Sequence, residues 1–321
     1  MMRDFEKNMH TIEASVLREA SEFKIFNVLV ALSGGADSIA TALLLKKIGL
    51  KIKCLHCNFH LRGEESDRDF DFVKDFCNFH NLPLETIDFD VCGYLKDNSG
   101  FSVEMACRNL RHDWFKKKSE EEKADRLVTG HNADDNIETF MLNMLRGSGT
   151  RGLRGMKPDN GYIWRPLLSF HREEILEYLA FRHQPYVVDS TNLQSDYRRN
   201  YLRNEIIPRL KKEWKGFNNS LDKTISNINM ENEVVEKYLA LHLPPFGNPL
   251  SVETVSSSPA PLLLIRRFID FLGPYATTAN EILSAIKANK PHIRRWRLKY
   301  GVVFLRNGNL FVEMGHGERC T

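Results

Sequence analysis

A doubly wound parallel α/β sheet, followed by a linker helix and a smaller, mostly helical C-terminal domain, is predicted for this chain by three observations. Short apolar strands alternate with amphipathic helices through the first 146 residues, the pattern of right-handed βαβ units. Three polar clusters, at 33–38, 56–62 and 130–135, directly follow such strands, where open parallel sheets bind their ligands. At 321 residues the chain also exceeds the size at which a single core keeps growing, so two domains are expected.

In chain order, residues 8–22 have weak helical character and lead into the sheet. The run Asn27-Val28-Leu29-Val30-Ala31-Leu32 is apolar and rich in β-branched residues, which predicts a strand at 26–32. Ser33-Gly34-Gly35-Ala36-Asp37-Ser38 then turns the chain, and a pattern of Ala, Leu and Ile predicts a helix at 39–48. Further strands are expected at 51–58, 84–88 and 125–130, with helices at 67–80, 103–118 and 134–146. Beyond residue 215 the texture changes. A long helical pattern covers 221–241, and five prolines between residues 242 and 261 mark a boundary. Two short helices at 262–272 and 279–288 precede a hairpin at 301–313 around Asn307-Gly308, and 315–321 reads as a loose tail. The chain thus divides into an α/β domain (1–215), a linker helix (216–242) and a small C-terminal domain (243–321).

Composition narrows the class. A hydrophobic share of 42%, a charged share of 27% and a net charge of +3 are those of an ordinary globular chain. No apolar run approaches the ~20 residues that span a bilayer. The first 23 residues mix acids and bases without an apolar stretch, so no secretory signal is expected. Six cysteines (Cys54, Cys57, Cys77, Cys92, Cys107, Cys320) lack framework spacing, as reduced thiols of a cytoplasmic protein do. Cys54 and Cys57 form a Cys-x-x-Cys. No second pair exists, and positions i and i+3 of a strand face opposite sides, so Cys54 reads as core.

Four clusters carry candidate chemistry. Gly34 and Gly35 open backbone angles closed to other residues, and the helix N-terminus behind them adds unpaired N–H donors, so a polyphosphate suits the loop. The loop lacks the Lys of a Gly-x-x-x-x-Gly-Lys-Ser/Thr loop, which excludes that class of kinase or GTPase. His56-Cys57-Asn58-Phe59-His60-Leu61-Arg62 follows a buried strand, as ligand contacts do; a hydrophilic loop with Ser66 capping the next helix is the simpler account. Glu104, Arg108 and Arg111 share one helix face, either as a solvated ion-paired surface or as guanidiniums aimed at phosphate or RNA. Asp134, Asp135 and Glu138 crowd the start of a helix, where the dipole favours acids. Asp135 and Glu138 also share a face beside the phosphate loop, where carboxylates hold Mg²⁺ or a cationic substrate.

Charge is unevenly spread. Residues 146–165 hold five Arg/Lys against one acid, 197–215 seven against two, and 287–300 six against none, with Tyr197, Tyr201, Trp214, Trp296 and Tyr300 interleaved. Such patches suit RNA phosphates and unstacked bases, and Arg294, Arg295 and Arg297 in the last of them are candidate RNA contacts.

In order, Ser-Gly-Gly-Ala-Asp-Ser at 33–38, His-Cys-Asn-Phe-His-Leu-Arg at 56–62, Glu-Met-Ala-Cys-Arg-Asn-Leu-Arg-His at 104–112 and Thr-Gly-His-Asn-Ala-Asp-Asp-Asn-Ile-Glu-Thr at 129–139 resemble the PP-loop ATP pyrophosphatases, in their tRNA(Ile)-lysidine synthase branch. The Gly-rich stretch from Arg146 to Met156, Arg165-Pro166-Leu167-Leu168, Asp189-Ser190-Thr191-Asn192 and Arg199-Asn200-Tyr201-Leu202-Arg203 extend the likeness over residues 25–215. His112 stands where that family usually has Tyr and Cys107 where it often has Ala, and its longer members carry a C-terminal domain larger than the one expected here. The resemblance implies ATP on Ser33, Gly34, Gly35, Ala36, Asp37, Ser38, His56 and Asn58. It implies catalytic Asp37, Arg108, Asp135 and Glu138, lysine on Asp135 and Glu138, and Mg²⁺ on Asp37 and Asp135. Arg111, Arg146, Arg151, Arg199, Asn200 and Arg203 would then contact tRNA. The implied ligase reaction activates the C2 carbonyl oxygen of the wobble cytidine in a CAU anticodon of tRNA(Ile) as an adenylate. The ε-amine of L-lysine then displaces AMP, giving lysidine and changing codon reading from AUG to AUA. A homodimer is a further expectation. A PP-loop tRNA thiolase and a non-catalytic nucleotide-dependent RNA module are the alternatives.

Overall fold

The computed structural model describes residues 2–188, 197–273, 276–288 and 294–315. Asp189-Ser190-Thr191-Asn192, the end of the tail and Cys320 lie outside them. The chain forms two compact units, Met1–Ile228 and Asn229–Thr321.

In the first unit, α1 (Met2–Glu22) leads to β1 (Asn27–Ala31), α2 (Ala36–Lys47), β2 (Lys51–Asn58), α3 (Glu64–Phe79) and β3 (Leu84–Asp88). Then come α4 (Val91–Asp97), α5 (Val103–Glu121), β4 (Arg126–Val128), α6 (Ala133–Leu145), α7 (Thr150–Leu153), β5 (Ile163–Trp164) and α8 (Arg172–Phe181). The five strands are parallel, in the order β3-β2-β1-β4-β5. The chain winds outward from β1 in both directions, so a crevice opens at the carboxyl ends of β1 and β4. β1 shows why the fold is layered. Val28 and Val30 pack with Ile39, Leu44, Trp164 and Tyr178, while Leu29 packs on the other face with Leu55, Leu127, Trp114 and Phe115. Alternate residues of one strand thus enter two cores, which is why its sequence is continuously apolar.

Past the sheet, α9 (Tyr197–Tyr201), a π-helical turn (Leu202–Ile206), α10 (Ile207–Glu213) and the start of α11 (Phe217–His242) close over α6. Leu202, Ile207 and Ile225 pack against Ile137, Phe140 and Met141. The division between the units falls within α11, after Ile228.

The second unit runs β6 (Leu250–Ser251), α12 (Val252–Ser257), α13 (Pro261–Phe268), a 3₁₀ turn (Asp270–Leu272), α14 (Ala276–Lys287), β7 (Arg294–Leu298), β8 (Gly301–Arg306) and β9 (Asn309–Met314). Its strands form an antiparallel sheet in the order β6-β9-β8-β7, so the expected helices are joined by more sheet than the hairpin alone. Asn307 and Gly308 both take positive φ, 47° and 71°, as a two-residue hairpin turn of this hand requires.

The strands at 51–58 and 84–88 coincide with β2 and β3. The expected strand at 125–130 stops at Val128, because Thr129, Gly130 and His131 leave the sheet to build the crevice. β5, with only two residues, gives no strand pattern, and α8 is not among the elements expected from the sequence. Among the described residues no helix is long and apolar enough to cross a membrane.

Candidate active site

The residues between β1 and α2 form a tight cradle. Gly34 lies at φ +90°, where side chains are strained, and a Cβ there would stand 3.2 Å from Val73 Cγ2. Its carbonyl accepts the Val187 N–H at 2.9 Å. Gly35 caps α2 with extended backbone and no side-chain hydrogen bond, so the first-turn N–H groups are not claimed by a cap. Ser38 folds back, donating from Oγ to the Gly35 carbonyl at 3.0 Å and accepting the Ser33 N–H at 3.2 Å. The hydroxyls of Ser33 and Ser38 lie 3.1 Å apart, and Ala36 is buried. The cradle rests on the end of β4: a Cβ on Gly130 would meet the Asp37 carbonyl carbon at 2.8 Å and its oxygen at 2.9 Å.

Asp37 points from the first turn of α2. Its Oδ2 accepts Arg172 Nη1 at 2.8 Å. Its Oδ1 is buried with no hydrogen-bond partner among the described residues. Burial raises its pKa above the ordinary carboxylate range, Arg172 opposes the rise and the charge of Asp135 adds to it.

The acids of α6 have two employments. Asn132 Oδ1 accepts the Asp135 N–H at 3.0 Å and Asp135 Oδ2 accepts the Asn132 N–H at 3.1 Å, a capping box that starts the helix. Asp135 Oδ1 meanwhile accepts Arg203 Nη2 at 2.8 Å and Arg199 Nη2 at 3.3 Å. Glu138, only 2% exposed, accepts Arg199 Nε at 2.7 Å and Arg203 Nε at 2.5 Å. A carboxylate so buried needs such pairing. Burial works to lower the Arg203 pKa, but Glu138, Asp135 and Asp37 outweigh it and hold the guanidinium more firmly charged. Arg199 and Arg203, expected on tRNA, therefore turn inward. They sit four residues apart on one side of α9 and the π turn, aimed at the acids rather than at solvent.

A second network ties α8 to the same crevice. The Arg172 N–H and Lys211 Nζ each donate to Asp134 at 2.8 Å. His171 Nδ1 approaches Asp134 Oδ2 at 3.3 Å and its Nε2 approaches Asp222 Oδ2 at 3.0 Å. Asp134 first and Asp222 second push the His171 pKa up to about 10, so the ring is an imidazolium donating from both nitrogens. Burial would raise the Asp134 pKa, but His171, the Arg172 N–H and Lys211 together hold it well below the usual range.

The other expected residues divide. His56 and Asn58 are buried: His56 Nδ1 lies 2.8 Å from the Leu32 carbonyl, and Asn58 Oδ1 accepts the His60 N–H at 3.1 Å. Burial lowers the His56 pKa, so its ring is neutral and Nδ1 donates, bracing the strand end beneath the loop. Arg108 and Arg111 are exposed on α5, and the charge of Arg111 is felt at Cys57, Cys107 and His131. Arg146 and Arg151 are exposed along the Gly-rich segment. That segment is pinned to α6, where Asn136 Oδ1 accepts the Met156 N–H at 2.7 Å and Asn143 Nδ2 donates to the Gly152 carbonyl at 2.8 Å. Asn200 is half-buried, its Nδ2 without a hydrogen-bond partner among the described residues. Arg294, Arg295 and Arg297 belong to the second unit, where Arg295 and Arg297 share the exposed face of β7. An open groove of about 600 Å³ lies beside that strand, lined by Asn280, Ser284, Arg294, Arg295 and Trp296 among others.

Sequence reasoning assigns no individual role to Gly130 or His131, which it marks only within the 130–135 cluster, and passes over His171, Arg172, Val187 and Lys211 as site residues. His131 Nδ1 lies 2.7 Å from Thr129 Oγ1, and burial first, with Arg165, Arg199 and Arg111, pushes its pKa down to about 4 against the charge of Asp135. Only His131 and Gly130 carry a sequence signal, as polar and small residues directly after a strand. His171-Arg172-Glu173-Glu174 signals no more than a helix start.

Mg²⁺ is held by one or two carboxylates together with phosphates and water. The buried, unpartnered Oδ1 of Asp37 fits that requirement. Asp135 fits it less well, since both its oxygens already accept hydrogen bonds. Among the described residues no group of three or more His, Cys, Asp or Glu is placed to hold a metal by itself.

A family model described as a PP-loop domain matches residues 6–210. A tRNA(Ile)-lysidine synthase of Bacteroides thetaiotaomicron is 36% identical over 283 residues, 86% of this chain and 66% of that protein. One of Chlorobaculum tepidum is 35% identical over 245 residues, 75% of this chain and 71% of that protein. The chain spans between 56% and 66% of the length of four such relatives. Among solved structures, the U34-tRNA thiolase NcsA of Methanococcus maripaludis superposes with a TM-score of 0.58 at 21% identity, over 70% of this chain and 79% of that one, a likeness of fold. The cradle at 33–38 and the acid-bearing helix beside it lie inside the matched stretch, and on these matches the chain belongs to the PP-loop family, in its tRNA(Ile)-lysidine synthase branch.

Proposed function

We propose that this chain ligates L-lysine to C2 of the wobble cytidine in tRNA(Ile) bearing a CAU anticodon, with conversion of ATP to AMP and pyrophosphate, in the cytoplasm. The observation that carries the reading is the cluster of Asp135, Glu138, Arg199 and Arg203 beside Asp37 and the Gly34-Gly35 cradle. The cradle and the unclaimed N–H groups of α2 suit the triphosphate and stabilise charge on the departing pyrophosphate. The cytidine C2 oxygen attacks the α-phosphate, and the ε-amine of lysine then attacks C2 and expels AMP. A free amino acid is a zwitterion, and two carboxylates interleaved with two guanidiniums match it: ammonium on Asp135 and Glu138, carboxylate on Arg199 and Arg203. His56 and Asn58 support the loop from below. Mg²⁺, when bound at Asp37, neutralises polyphosphate charge.

Exposed Arg108, Arg111, Arg146 and Arg151 supply phosphate contacts for the anticodon arm, and β7 with its groove supplies a second RNA contact in the smaller unit. Under this reading residues 1–215 hold the chemistry and 243–321 serve tRNA binding.

The test is incubation of the chain with ATP, radiolabelled lysine and total tRNA. Label is expected in tRNA carrying the CAU anticodon, with one AMP formed per lysine. ATP–pyrophosphate exchange without lysine transfer would overturn the ligase assignment, and sulfur incorporation dependent on Cys107 would favour the thiolase.

A further inference from the structure

The phosphate loop lacks a lysine of its own, so a side-chain cation that meets a polyphosphate there comes from elsewhere in the fold. The neighbouring cations are mostly engaged. Arg199 and Arg203 pair with Asp135 and Glu138, and Lys211 pairs with Asp134. Arg172 differs, because its partner is the loop itself. Nη1 donates to Asp37 Oδ2 at 2.8 Å. Its main-chain N–H is fixed on Asp134 at 2.8 Å, at the capped start of the ten-residue α8. Both ends of this long side chain are thereby held. A guanidinium carries five N–H donors in a rigid fork, and the bond to Asp37 uses one. The side chain remains 49% exposed, so its other donors stay accessible.

We propose that Arg172 is a pyrophosphate ligand of this site, with Asp37 as the residue that positions it: the guanidinium bridges Asp37 Oδ2 and the β- and γ-phosphates of a nucleoside triphosphate. The proposal rests on the reading of the loop as an ATP site. It gives α8 a part in the chemistry, since a fork held against the β-phosphate stabilises the charge that develops on the leaving pyrophosphate. It also gives Asp37 a second task beside any magnesium ion, one carboxylate oxygen serving each.

The test measures binding of ATP, AMP and inorganic pyrophosphate to the full chain by calorimetry in magnesium buffer. Arg172→Gln is expected to weaken ATP and pyrophosphate about 10- to 100-fold and to leave AMP unchanged. Arg172→Lys, which keeps the charge but loses the fork, is expected to recover only part of that loss. In an Asp37→Asn background, Arg172→Gln should still weaken pyrophosphate at least about fivefold. No further loss in that background would reduce Arg172 to a tether of Asp37 and overturn the proposal. So would wild-type pyrophosphate affinity in Arg172→Gln. If the unaltered chain binds neither ATP nor pyrophosphate, the ATP reading of the loop falls as well, which separates the two failures.

Discussion

A methyl group at position 130 would stand 2.8 Å from the carbonyl carbon of Asp37, against backbone rather than a movable side chain. Gly130→Ala therefore displaces the loop or the end of β4. The expected cost is about 1–3 kcal/mol in chemical denaturation, with ATP affinity reduced at least about tenfold. Unchanged values in both measurements would show that the two segments move apart freely. The sequence marks Gly34 and Gly35 as a pair, but geometry separates them. Gly34 needs its missing side chain at φ +90°, whereas a Cβ on Gly35 would meet only Ser33 Oγ at 3.5 Å. A Cβ at Gly35 thus meets only ordinary van der Waals contact within the fold. The acids of α6 divide in the same way. Asp135→Asn keeps an oxygen for the Asn132 N–H while removing the charge that faces Arg199 and Arg203. Lysine transfer should fall on the order of 10²-fold with the unfolding midpoint nearly unchanged. Full activity in this variant would leave Asp135 as a helix cap alone.

At the level of elements, α8 is held by the imidazolium of His171 between Asp134 and Asp222. Its pKa of about 10 in the fold lies above the ~6.5 of an unfolded histidine. The contact therefore stabilises fully below about pH 6.5 and fades as pH rises through about 10. Urea denaturation of His171→Gln beside the unaltered chain should show a stability gap of a few kcal/mol at pH 6 that narrows markedly by pH 10. A gap that is constant or widens with pH would refute the charged contact. Elements with strong periodicity or buried apolar runs, such as β1 to β3 and α5, are legible in the sequence. α8 is not, because its worth lies in partners from α2, α6 and α11 that only folding brings near. β7 is missed for another reason: Arg294-Arg295-Trp296-Arg297-Leu298 reads as a charge run. Its alternation, Arg295 and Arg297 outward with Trp296 and Leu298 against the small core, becomes meaningful only beside β8.

For the molecule as a whole, the two units carry separable expectations. Replacing Arg294, Arg295 and Arg297 together by Ala should lower the salt slope of tRNA binding by about one or two, since only Arg295 and Arg297 share the exposed face of β7. The KM for tRNA should rise while those for ATP and lysine stay put. An unchanged slope would make the strand a solvated edge. Much of the phosphate site is legible because a loop compresses its needs into six consecutive residues. The rest is assembled from α8, α9 and the segment around Val187, more than a hundred residues further on, and no local pattern announces such convergence. The Val187 amide, hydrogen-bonded to the Gly34 carbonyl at 2.9 Å, gives this convergence an isotopic signature. Its deuterium uptake reports opening of the cradle without any probe attached to it. Exchange at Val187 should slow when pyrophosphate is added and stay fast with adenosine, so a native backbone proton records which half of the nucleotide holds the loop closed.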